Sequence, residues 1–86
     1  MLKYTKHTLQ KMEGLLEEIG YEVRTGKGNF STGYCILESK KVVVINKYHS
    51  TEARILSLLD IMKHIEVDAD DLEDKSKTYY QQLMKL

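Results

Sequence analysis

Gly33-Tyr34-Cys35-Ile36-Leu37-Glu38-Ser39-Lys40-Lys41-Val42-Val43-Val44-Ile45-Asn46-Lys47 holds two runs of β-branched and aromatic residues split by a short polar break. Such residues fit a pleated surface, and a break this short joins antiparallel neighbours, so Gly33–Glu38 and Lys41–Lys47 read as a hairpin. With Ser39-Lys40 as a two-residue turn, Glu38 faces Lys41, Leu37 faces Val42, Ile36 faces Val43, Cys35 faces Val44 and Tyr34 faces Ile45. Alternation puts Leu37, Val42, Cys35 and Val44 on one face, and Ile36, Val43, Tyr34 and Ile45 on the other. Both faces are apolar, so neither is expected to stay wet. The near-continuous apolar run Val42–Ile45 suits a central strand.

Upstream, Tyr21–Thr25 alternates as a half-buried strand does, and Gly26-Lys27-Gly28-Asn29 breaks it with turn chemistry. Before it, Leu9, Met12, Leu16 and Ile19 recur at helical spacing, predicting an amphipathic helix from about Lys6 to Ile19, closed by Gly20. Gly14 lies inside that helix at a cost of about 1 kcal/mol relative to alanine. Downstream, Ser50 is a candidate N-cap for a helix reaching about Ile65, with Ile55, Leu58, Leu59 and Met62 as its apolar stripe. An acidic link follows, in which Asp70 or Asp71 is the expected cap of a third helix running to about Lys85. The expected fold class is α+β: helix, three-stranded antiparallel sheet, helix, helix, in one compact domain. Residues 1–65 form its core and 66–86 an acidic link and C-terminal helix, part of the domain or an oligomer contact. The apolar back of the sheet predicts either a homodimer or the third helix folded across it.

A chain of 86 residues allows one domain. Its single cysteine excludes an internal disulfide, and the lack of a cysteine framework points to a reducing, cytoplasmic setting. No apolar stretch approaches the ~20 residues of a spanning helix. Net charge is zero, which removes a bulk electrostatic case for nucleic acid or anionic membrane. Its distribution is uneven, at +3 over residues 1–49 and −3 over residues 50–86.

Gly26-Lys27-Gly28 departs from phosphate-loop and dinucleotide patterns, because a strand follows it and Ser31 stands where the latter needs glycine. Cys35, placed mid-strand, reads as a small buried hydrophobe with an unreactive thiol. One cysteine with His7, His49 and His64 scattered along the chain gives no zinc spacing, and Asp68-Ala69-Asp70 lacks the later calcium ligands. No cofactor or metal is expected. The helix–three strands–helix order matches a double-stranded-RNA-binding domain in outline, although Glu52 opposes a thin basic cluster at the second helix.

Gly28-Asn29-Phe30-Ser31-Thr32-Gly33-Tyr34-Cys35, followed by Val42-Val43-Val44-Ile45-Asn46-Lys47, resembles a group of small bacterial proteins of Bacteroidetes type with no assigned activity. The resemblance reaches from the first helix to about Ile65, implies a bacterial cytoplasmic origin and carries over no catalytic residue. The residues themselves favour a non-enzymatic binding or interaction module, with self-association or a protein partner and no membrane. Its candidate surface is Arg24, Lys27, Asn29, Phe30, Lys47 and His49: cations for anionic groups, and one ring to stack or anchor. The alternatives are a double-stranded-RNA-type binder and a small enzyme using Cys35 or His49.

Overall fold

The computed structural model describes residues 2–37 and 39–86, with Leu37 described by its backbone alone. Helix α1 spans Lys6–Glu18, where Thr5 caps it by accepting the Thr8 N–H at 3.2 Å. Gly20 follows with φ of 94°, the left-handed conformation that ends a helix and that glycine adopts without a Cβ clash. Strands β1 (Tyr21–Gly26), β2 (Gly33–Leu37) and β3 (Lys40–Asn46) come next. Helix α2 (Thr51–His64) is capped by Ser50, whose Oγ accepts the Ala53 N–H at 3.1 Å. A 3₁₀ turn at Ala69–Asp71 leads to helix α3 (Asp74–Met84).

The sheet is mixed, which corrects the antiparallel expectation. Its order is β1-β3-β2, with β1 parallel and β2 antiparallel to β3. The connection after β1 accounts for the parallel pairing. Gly33 pairs with Val44, so β2 starts where β3 ends. The loop Lys27–Thr32 must pass from one edge of the sheet to the other, about 10 Å across the central strand. A six-residue loop makes that crossing most directly where β1 ends on the same side, parallel to β3.

The hairpin register also differs from the expected one. Leu37 pairs with Lys40, Ile36 with Lys41, Cys35 with Val42 and Tyr34 with Val43. The expected Glu38 partner falls outside the described residues. A shift of two residues leaves every side chain on its expected face, because strand side chains repeat every two residues.

On the inner face, Tyr21, Val43 and Ile45 are buried beneath the helices, α1 packing on β1 and α2 on β2. The outer face carries Glu22, Arg24, Cys35, Val42 and Val44; the valines are half-buried and Cys35 is exposed. The expectation of a buried Cys35 is therefore corrected. So is the alternative that α3 crosses the back of the sheet. Leu72 and Leu83 are buried in the core, and Lys11 of α1 sits 4.0 Å above the Tyr79 ring. Lys63 of α2 donates to the Leu86 carbonyl at 2.7 Å, so α3 lies against the helices.

Asp70 and Asp71 do not cap α3 as expected. Glu18 of α1 does so from outside, accepting the Glu73 N–H at 3.1 Å and the Ser76 hydroxyl at 2.5 Å. Asp68 instead stabilises the 3₁₀ turn through the Asp70 N–H at 3.0 Å.

The two glycines of the first helical unit should respond oppositely to alanine. A Cβ at Gly14 meets nothing within 4 Å, so Gly14→Ala should stabilise by up to about 1 kcal/mol through helix propensity. Gly20→Ala, at positive φ, should destabilise by about 1 kcal/mol. Urea unfolding of the two variants checks both signs.

Candidate functional site

At the carboxyl end of β1 and β3 two loops lie side by side. Asn46, the last residue of β3 and 2% exposed, holds them together. Its side-chain NH₂ donates to the Gly28 carbonyl at 2.8 Å and to the Phe30 carbonyl at 2.5 Å. Its Oδ1 accepts the Tyr48 N–H at 3.0 Å, and its own backbone N–H donates to Thr32 Oγ1 at 3.1 Å. An amide serves here because it presents donors and an acceptor on one planar group. The crossing loop and the β3–α2 turn thereby share one anchor.

Two further contacts complete the frame. The Lys47 N–H donates to the Gly26 carbonyl at 2.8 Å, extending the β1–β3 ladder. Arg54, in the first turn of α2, donates through Nε to the His49 carbonyl at 2.9 Å and through Nη2 to the Lys47 carbonyl at 3.3 Å. This brace uses the fixed fork of the guanidinium, and a lysine could not reproduce it. Phe30 is half-buried, and its ring stacks over the loop's glycines: a Cβ at Gly28 would stand 3.2 Å from it. Gly28 is thus a place of close approach between ring and backbone.

Of the sequence candidates, Lys27, Asn29, Phe30, Lys47 and His49 lie on these two loops. Lys27, Asn29 and Lys47 are exposed, whereas His49 is half-buried. Arg24 lies apart from them, on the outer sheet face, where it pairs with Glu22 at 3.1 Å. That hydrogen bond, aided by the charges of Arg24 and Lys40, lowers the Glu22 pKa below the usual carboxylate range.

Three residues of the site stand outside the sequence-based set: Asn46, Tyr48 and Arg54. Tyr48 is 69% exposed, and the Lys27 ammonium lies 6.0 Å from its ring centre, within reach of a cation–π contact. The sequence signal for Asn46 was a polar amide closing a four-residue apolar strand run. Nothing local marked Arg54 as a brace.

Among the described residues no hydrogen bond joins Cys35 to a histidine; His64 instead lies 2.7 Å from the Asp60 carbonyl. Nor, among the described residues, does any group of three or more His, Cys, Asp or Glu side chains stand close enough to hold a metal. No helix among them is long and apolar enough to cross a membrane. An exposed thiol on an open sheet face should be reached freely by maleimide. Native Cys35 should therefore label within a few-fold of the rate in denaturant, as stopped-labelling mass spectrometry can measure.

The fold and this site define a small α+β domain that carries a pinned pair of loops at the end of a mixed sheet. No family model, curated protein or solved structure matches the chain.

Proposed function

We propose that the protein is a non-enzymatic binding module of the cytoplasm that recognises a protein partner with its loop end. The observation that carries this reading is the shared Asn46 anchor. It holds the crossing loop and the β3–α2 turn in one arrangement before any partner arrives, which lowers the ordering cost of association. On that frame stand exposed Lys27, Asn29, Lys47 and Tyr48. A tyrosine flanked by cations is the kind of anchor that concentrates binding energy, and it suits a partner surface with a carboxylate beside an apolar recess. Phe30, half-buried, turns its ring onto the backbone at Gly26 and Gly28. The lone cysteine agrees with a reducing compartment.

An RNA reading has less support, because Arg54 is engaged by two backbone carbonyls and Glu52 occupies the same first turn of α2. A pull-down from lysate, with and without nuclease, compares the wild type with a Lys27→Glu, Lys47→Glu, Tyr48→Ala variant. The reading expects a nuclease-resistant partner that the variant loses. A partner lost on nuclease treatment, with affinity falling steeply in salt, would replace it with RNA binding. An identical profile for both proteins would remove it.

A further inference from the structure

The two edges of the sheet are built differently. Edge strand β1 carries Glu22 and Arg24, charges that discourage another strand from adding to it. Edge strand β2 lies within Gly28–Leu37, a ten-residue stretch with no charge and no proline. Its Tyr34 is 42% and its Ile36 56% exposed.

The direction of its free backbone groups follows from the ladder. The Lys47 N–H turns toward β1, reaching Gly26, while the Asn46 N–H turns toward β2, reaching Thr32. Even-numbered residues of β3 therefore bond β2. Their register partners are Gly33, Cys35 and Leu37, which leaves the N–H and C=O groups of Tyr34 and Ile36 pointing out of the sheet.

We propose that a second copy of this chain pairs with this edge, β2 against β2 in antiparallel sense about a two-fold axis at Cys35. Each outward pair of Tyr34 groups then bonds the outward groups of Ile36 in the other copy, closing both edges into one six-stranded sheet. On the helix side, Tyr34 of each copy faces Ile36 of the other, an aromatic–β-branched cross-strand pair. Such pairing sets a strand against its own sequence, and the uncharged stretch opposes no like charges. Leu56 of α2, the helix that packs on β2, is a further exposed apolar side chain at 46%. The two Cys35 residues become a non-hydrogen-bonded pair with Cα atoms about 4.5 Å apart, both thiols on the outer face.

This interface is separate from the loop surface and stands or falls without it. The test uses the full chain, with sedimentation equilibrium and cross-linking of Cys35 by a short bis-maleimide. The wild type should dimerise and cross-link through Cys35. Ile36→Lys, at an exposed position, should weaken dimerisation at least about tenfold with unchanged circular dichroism. Val44→Lys, on the open sheet face, separates this geometry from face-to-face stacking and should leave the dimer in place. A monomer at several hundred micromolar overturns the proposal. So does a dimer that survives Ile36→Lys, or one that only Val44→Lys dissolves.

Discussion

Ile45→Ala should cost roughly 3 kcal/mol of folding stability, while Val44→Ala next to it should cost less than about 1 kcal/mol. The contrast follows from the sheet having one covered face. Ile45 is fully buried beside Val43 under α1 and α2, so truncation removes apolar burial and leaves a cavity in a packed core. Val44 points to the outer face, where solvent already reaches it and nothing need collapse. Denaturant unfolding of the two variants measures the difference. Equal losses would mean that the outer face is also covered.

Asn46→Ala should destabilise by roughly 2–4 kcal/mol, more than most polar-to-alanine changes. The substitution strips partners from the Gly28 and Phe30 carbonyls and from the Tyr48 N–H, three backbone groups at the joint of two loops. Water can reach part of this joint, which keeps the loss below the sum for three fully buried groups. Asn46→Asp should be no better at neutral pH, because a carboxylate has no N–H to donate and would face two carbonyl oxygens. Thermal unfolding of both variants, followed by circular dichroism, tests the claim. A loss under about 0.5 kcal/mol would mean that the loops hold their shape without the amide.

The elements themselves were legible because their signals are local. The 3.6-residue recurrence of Leu9, Met12 and Leu16, the Ser50 cap and the alternation of β1 each belong to a single segment. Side-chain facing in the hairpin was legible for the same reason, since a two-residue shift in register preserves it.

Strand direction was not legible. It depends on which edge the crossing loop can reach, a property of three strands together. The place of the third helix was not legible either, because the apolar outer face suggests two covers, a second copy or that helix. Leu72 and Leu83 instead found burial in the helix layer, and Glu18 supplied the cap that Asp70 or Asp71 was expected to provide. At the site, the cations and the glycine loop could be read from residue types. The parts played by Asn46 and Arg54 could not, since each is defined by carbonyls that only the fold brings into reach.

Amide hydrogen exchange, followed residue by residue in the wild type and in Asn46→Ala, tests the shared anchor most directly. The Lys47 amide, bonded to Gly26 in the parallel ladder, and the Tyr48 amide, bonded to Asn46 Oδ1, should both be protected in the wild type. In Asn46→Ala, Tyr48 should exchange at least about tenfold faster relative to the core amides of α2. A Tyr48 amide that exchanges at the unprotected rate in the wild type would contradict the account, as would one whose protection is the same in both proteins.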